Sequence, residues 1–145
     1  MAASDAGAAP GMAARFALVF VGGAFGSLAR YAVTLALPHD PVASPSYAVA
    51  LVNVLGSFLI GLLATAPLGS RRLDASGRRL LLGTGVLGGF TTYSAFTLDA
   101  FAAASGYGDL RTGWWIWFVL GQILLGVVAA LAGMALGDAT GRGRG

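Results

Sequence analysis

The sequence predicts an all-α membrane protein with four transmembrane helices, the third of them broken in the middle of the membrane. Of the 145 residues, 57% are hydrophobic and 10% are charged, whereas soluble domains carry about 25% charged residues. Four apolar stretches reach the length of about 20 residues that a membrane-crossing helix requires. A run of glycines and hydroxyl residues interrupts the third stretch.

The four predicted spans use nearly the whole chain. They are Phe16–Leu37, Tyr47–Gly69, Leu80–Ala104 and Trp114–Gly137. The segments between them are short and rich in proline, arginine or glycine. We therefore expect one four-helix transmembrane domain at residues 16–137, with flexible tails at 1–15 and 138–145.

The few charges indicate an orientation. All nine positive residues are arginines and all six negative residues are aspartates. One arginine, Arg111, lies on one side of the predicted topology. Seven lie on the other: Arg15, Arg71, Arg72, Arg78, Arg79, Arg142 and Arg144. The positive-inside rule then places both termini and the second loop in the cytoplasm of a multi-pass protein of the cell membrane.

The composition also excludes several classes of function. With no cysteine and a single histidine, zinc clusters and cysteine nucleophiles are ruled out. No nucleophile–base pair is visible, so we expect no enzyme. The arginines form no patch interleaved with aromatic residues, so we expect no nucleic-acid partner.

Polar residues in the first two spans have two interpretations each. Arg30 either faces a partner or a wet cavity, or extends toward the nearer membrane surface. Gly22 and Gly26 precede it at four-residue spacing, which favours close helix packing. Asn53 shares a face of the second span with Ser57 and is either an interhelical hydrogen-bonding group or a pore-lining donor. Considered alone, the interhelical role is preferred for Asn53.

The third span is the unusual one. Gly83, Gly85, Gly88 and Gly89 make a poor helix interior, and a break here would free backbone carbonyls at membrane depth. Such backbone is tolerated only where it is buried in protein or lines a cavity, and it suits sodium or another hard cation. Hydroxyl and aromatic residues follow directly: Thr91, Thr92, Tyr93, Ser94, Phe96 and Thr97. Bonding of hydroxyls to the helix backbone explains one or two of them, not all.

Three segments resemble those of the Fluc (CrcB-type) fluoride channel family. They are GGAFGSLARY at Gly22–Tyr31, VNVLGSFLIG at Val52–Gly61 and GGFTTYSAFTLD at Gly88–Asp99. The third is the most specific, because the family pattern there is close to GG-x-TTFSTFS-x-E. The resemblance implies a fluoride-specific channel in the lipid bilayer that passively exports fluoride from the cytoplasm and so reduces its toxicity.

The resemblance also implies an assembly and a set of site residues. Two subunits would pair antiparallel, with pores along their interface and a structural, non-transported sodium ion at the dimer centre. Main-chain carbonyls that fall here on Gly88 and Thr91 would hold the sodium. The implied fluoride pore residues are Asn53, Tyr93, Ser94, Phe96 and Gln122. The implied supporting residues are Arg30, Thr92 and Asp99.

Four positions depart from the family pattern. Tyr93 replaces a phenylalanine, Ala95 a threonine, Asp99 a glutamate and Gln122 a pore serine. The charge bias is a further feature, since a chain that inserts in both orientations should have little bias. We therefore expect the partner to be a homologous, oppositely oriented subunit, with a second copy of this chain as the alternative.

Two other functions compete with a fluoride channel. A small multidrug-resistance-type exporter also uses four short helices in antiparallel pairs, but that family depends on a glutamate in its first helix. This chain has no glutamate, and Arg30 would repel a cationic drug. A noncatalytic scaffold is disfavoured by the hydroxyl cluster and the broken helix.

Overall fold

A computed structural model describes residues 10–37, 46–66, 75–105 and 114–142. The helices are α1 (Met12–Ala36), α2 (Tyr47–Thr65), α3 (Ala75–Arg78), a π-helix (Arg79–Leu87), α4 (Gly88–Phe90), α5 (Tyr93–Ala104) and α6 (Trp114–Arg142). No strand occurs in these ranges, which confirms the all-α prediction. Arg71, Arg72, Arg111 and Arg144 lie outside the described residues.

Within the described ranges, three helices are long and apolar enough to cross a membrane by themselves. They are α1, α2 and the part of α6 from Ile116 to Gly141, with mean hydropathies of 1.6, 2.1 and 2.2 in their most apolar windows. The third predicted span is divided among α3, the π-helix, α4 and α5. Four helical spans with a broken third one are therefore present, as the sequence predicts.

The helices extend beyond the predicted spans at both ends of the chain. α1 begins at Met12, and the Arg15 amide donates to the Gly11 carbonyl at 3.0 Å. α6 continues to Arg142, because Gly137 packs on the end of α2 and the Thr140 hydroxyl donates to the Gly137 carbonyl at 2.8 Å. Residues 12–15 and 138–142, which the sequence analysis assigned to the tails, are therefore part of α1 and α6.

Glycines bring α1 into direct backbone contact with the third span. Gly22 and Gly26 are buried. A Cβ on Gly22 would lie 2.9 Å from the Gly85 Cα, and one on Gly26 would lie 2.8 Å from the Phe90 amide nitrogen. Separations this short leave no room for a side chain, so the predicted packing role of these two glycines is confirmed.

A second glycine-mediated contact joins α2 to α6. A Cβ on Gly133 would lie 2.8 Å from the Leu62 amide nitrogen, and one on Gly61 would lie 2.9 Å from the Ala130 carbonyl carbon. The two close pairs, α1 with the third span and α2 with α6, leave the break in the third span beside α2.

Large apolar side chains cover the outer surface of the isolated chain. Phe20 and Phe25 on α1, and Leu124 and Leu131 on α6, are each more than half exposed. Water is a poor solvent for such a surface, whereas lipid tails or a second subunit can cover it. The surface is therefore typical of a membrane protein.

Candidate functional site at the broken helix

The break in the third span lies at two threonines. Thr91 and Thr92 have extended backbone conformations between α4 and α5. The Thr92 N–H donates to Asn53 Oδ1 at 2.8 Å, and Asn53 Nδ2 donates to the Thr92 carbonyl at 2.9 Å. We call this reciprocal pair of bonds the Asn53–Thr92 clamp. It supplies the interhelical role predicted for Asn53 and satisfies the Thr92 N–H, which the break removes from the helix.

The glycine run before the break remains helical, which corrects the predicted location of the interruption. Gly83 and Gly85 belong to the π-helix, and the Gly88 N–H donates to the carbonyls of both. Glycine weakens the α-helical preference without preventing a wider helical turn. The absence of side chains there also permits the close approach of α1.

The break also removes the usual helical hydrogen-bond donors from the four carbonyls of residues 88–91. In a continuous α-helix the N–H of residue i donates to the carbonyl of residue i−4. Here the Thr92 N–H is diverted to Asn53, and the Ala95 N–H donates instead to Thr92 Oγ1 at 3.2 Å. These two N–H groups would otherwise donate to the carbonyls of Gly88 and Thr91. Carbonyl oxygens released in this way are suitable ligands for a hard cation.

Arg30 faces the break. It is half-buried, and its Nε donates to the Gly89 carbonyl at 3.3 Å. Ser27 Oγ donates to the same carbonyl. Of the two interpretations of Arg30, the structure adopts the one in which the arginine has a partner inside the membrane. The guanidinium thus places a positive charge close to the interrupted backbone.

Two neighbouring cavities adjoin the break. The break cavity, of about 240 Å³, is lined by Thr91, Thr92, Tyr93 and Phe96 of the third span and by three residues of α2. The central cavity, of about 350 Å³, is lined by residues that include Phe96 and Gln122. Asn53 and Ser57 line both. Phe96 is therefore shared between the two cavities, and its ring centroid lies 6.2 Å from that of Tyr93.

Gln122 is an unsatisfied group in the wall of the central cavity. Both Nε2 and Oε1 are buried, and neither has a hydrogen-bond partner among the residues that the structure describes. A buried amide that makes no hydrogen bond is destabilising by about 1–3 kcal/mol. Its donor and acceptor are therefore available to a ligand in the cavity.

Two of the other predicted site residues have local structural contacts. Ser94 is exposed, its hydroxyl lies 3.3 Å from Thr92 Oγ1, and it lies outside both cavities. Asp99 Oδ2 accepts the Ser46 N–H at 3.2 Å, which joins α5 to the residue that caps α2. Asp99 therefore helps to position the helix that carries Asn53.

The cavities also include a residue that the sequence analysis did not select. Ile60 lines the break cavity from α2. It lies one helical turn beyond Ser57, but no polar side chain marks it. The four-residue spacing from Asn53 identified Ser57, whereas Ile60 resembles any other apolar residue of the span.

Residues 17–134 match a family model described as CrcB-like protein, Camphor Resistance (CrcB). The chain belongs to this family. The match covers all four spans and confirms the resemblance found in the three sequence segments.

Curated relatives with full-length similarity are ion channels. The "Fluoride-specific ion channel FluC" of Agrobacterium fabrum is 45% identical over 127 residues, 83% of this chain and 94% of the relative. "Fluoride-specific ion channel FluC 2" of Leifsonia xyli is 44% identical over 88% and 86% of the two chains. The "Fluoride-specific ion channel FluC" of Thermus thermophilus is 38% identical over 86% and 96%. The prediction that the chain is no enzyme is confirmed by this family of ion channels.

Proposed function

We propose that this chain forms a fluoride-specific channel in the cell membrane, through which fluoride leaves the cytoplasm passively. The relatives support this function by their names. The observation that carries it is the central cavity, where Asn53 and Gln122 present amide groups beside the ring of Phe96 at membrane depth. Fluoride is small and strongly hydrated, so a selective path must replace its water with closely spaced donors.

The donors of the cavity suit an anion. Gln122 Nε2 has two hydrogens and no partner. Asn53 Nδ2 uses one hydrogen in the clamp and retains a second. Aromatic rings such as those of Phe96 and Tyr93 add positively polarised edges. An anion that loses its hydration shell in the central cavity can therefore be coordinated by side chains of α2, α5 and α6.

The carbonyls at the break support a sodium site. The carbonyls of Gly88 and Thr91 have lost their i+4 donors to the Asn53–Thr92 clamp and to Thr92 Oγ1. We propose that these oxygens hold a structural, non-transported sodium, together with the same carbonyls of a second subunit. The ion would supply a fixed positive charge beside the anion path, and Arg30 acts in the same direction.

A second subunit would cover the open side of the site. The Tyr93 side chain is 79% exposed although it lines the break cavity. We propose an antiparallel dimer whose interface encloses this cavity. The arginine asymmetry supports a homologous, oppositely inserted partner with the termini of this chain in the cytoplasm. A second copy of this chain is the alternative partner.

Ion flux from liposomes tests the proposed function. The purified chain, alone and together with its homologue, is reconstituted, and the release of fluoride and of chloride is followed with ion-selective electrodes. We expect fluoride release without chloride release, and slower fluoride release when sodium is replaced by a bulky organic cation.

Each arm of the flux experiment has a distinct contrary result. Equal release of the two halides would contradict fluoride selectivity. Unchanged flux without sodium would contradict the sodium site but would leave the fluoride channel intact. Activity that requires the homologue would support the heterodimer, whereas full activity of this chain by itself would support the homodimer.

A further inference from the structure

A third cavity continues the row of cavities toward the arginine-rich second loop. We call it the entry cavity. Its volume is about 350 Å³, and it is lined by Ile60, Leu63 and Ala64 of α2 and by Arg79, Gly83 and Thr84 of the π-helix. We propose that Arg79 and Thr84 form an entry site for small hydrated anions at the cytoplasmic end of the path. This inference rests on the proposed channel function.

Shared wall residues connect the three cavities. Ile60 lines both the entry cavity and the break cavity. Asn53, Ser57 and Phe96 line both the break cavity and the central cavity. The path therefore follows one side of α2 from Ile60 to Asn53, about 10 Å along the helix axis at 1.5 Å per residue.

The polar groups of the entry cavity are available to an anion. Arg79 and Thr84 are exposed, and within the described residues neither side chain makes a hydrogen bond or an ion pair. The guanidinium offers five N–H donors and the hydroxyl offers one. Hydrogen-bond donors without a partner beside apolar walls favour the binding of an anion that can accept from them.

The position of Arg79 suits the capture of anions from the cytoplasm. Arg79 is the first residue of the π-helix, on the side of the membrane where seven of the eight arginines outside the spans are predicted to lie. Apolar walls such as Leu63 and Ala64 have a low dielectric constant and focus the field of a charge into the cleft. The local anion concentration at the mouth of the path is thereby raised.

Ile60 lies between the entry cavity and the break cavity. The entry cavity lies on its cytoplasmic side, where an anion can retain most of its water. The break cavity lies on its other side, where Asn53 and the threonines replace that water. The entry site is thus a place where the anion is concentrated before it is dehydrated.

Flux at two ionic strengths tests the entry site. The variants are Arg79→Gln, Arg79→Lys and Thr84→Val, and the matched control is Arg15→Gln, an exposed arginine on the same predicted side that lines none of the three cavities. In about 0.01 M salt of an impermeant anion, charge effects extend over about 30 Å, and in about 1 M salt over about 3 Å. Each variant is first compared with the wild type by size-exclusion elution.

We expect fluoride flux to fall when the positive charge at residue 79 is removed, and we expect this loss to be larger in low salt than in high salt. Arg79→Gln lowers fluoride flux roughly threefold to tenfold in low salt and approaches the wild-type rate in high salt. Arg79→Lys retains most of the wild-type rate, and Thr84→Val loses roughly twofold because one neutral donor is removed. Arg15→Gln remains close to the wild type.

Three outcomes overturn the inference in distinguishable ways. Equal rates for Arg79→Gln and Arg15→Gln, with normal wild-type flux, overturn the entry site and leave the channel function intact. A defect that occurs only in vesicles containing phosphatidylglycerol, and not in pure phosphatidylcholine, assigns Arg79 to a lipid headgroup instead. No fluoride release by the wild type, either alone or together with its homologue, overturns both proposals.

Discussion

At the residue scale, Asn53 has the most consequential contacts of the site. Its single amide group bonds both the backbone N–H and the backbone carbonyl of Thr92 and also lines two cavities. Interhelical bonding and pore lining, which the sequence left as alternatives, are therefore compatible in one side chain. Removing the amide should affect stability and conduction together.

We predict that Asn53→Ala lowers the free energy of unfolding by about 1–3 kcal/mol, because it leaves the buried Thr92 N–H without a partner. The Thr92 carbonyl loses one of its two donors but, as the N-cap carbonyl, still accepts the first hydrogen bond of α5. Ser57→Ala is the control on the same face. The Ser57 hydroxyl only donates to the Asn53 carbonyl at 2.8 Å, so its loss should lower stability by about 1 kcal/mol or less. Denaturation in detergent, followed by circular dichroism, measures both. Equal losses of unfolding free energy in the two variants would contradict the conclusion that the Asn53–Thr92 clamp stabilises the break.

At the element scale, the packing of α1 on the third span depends on individual glycines. Gly26 and Gly23 both lie in α1, but a Cβ has no room on Gly26, where it would overlap the Val86 carbonyl. A Cβ on Gly23 would have no atom within 4 Å. The two positions therefore form a matched pair for mutagenesis.

We predict that Gly26→Ala is destabilised by about 1–3 kcal/mol, because two backbones must move apart to admit the methyl group. Gly23→Ala should be neutral or more stable by up to about 1 kcal/mol, as alanine is the better helix former. The midpoint of thermal unfolding in detergent reports both changes. A loss of similar size in the two variants would contradict the direct contact between α1 and the π-helix.

At the scale of the whole molecule, the described helices place their arginines consistently. Arg15 lies near the start of α1, Arg78 and Arg79 lie near the start of the third span, and Arg142 ends α6. Four successive crossings bring these positions to one side of the membrane. The asymmetry of charge then favours a single orientation of insertion.

Reporters fused after Gly145 test this orientation. We predict that a green fluorescent protein fusion is fluorescent and that an alkaline phosphatase fusion is inactive, because the first reporter matures in the cytoplasm and the second outside it. Fusions to a membrane protein of known cytoplasmic C-terminus provide the control. Activity of both reporters would demonstrate insertion in both orientations and would favour a homodimer.

Sequence reasoning identified the four spans, the break and most of the polar residues around it, because apolar length and clustered hydroxyls are local signals. It located the interruption too early, within the glycine run. Helix propensity alone could not show that Gly83 and Gly85 remain helical, since their conformation depends on the close backbone of α1. The sequence also could not show that the Gln122 amide lacks hydrogen-bond partners, because this depends on which residues of α2 and α5 surround the side chain.

The Asn53–Thr92 clamp has a consequence for the biogenesis of the protein. A free peptide N–H or carbonyl in the hydrocarbon core is destabilising by several kcal/mol, so the interrupted third span is a poor membrane segment until Asn53 is beside it. α2 precedes that span in the chain. During synthesis from the N-terminus the partner amide is therefore already in the bilayer when Thr92 enters, and the order of the helices protects the broken one.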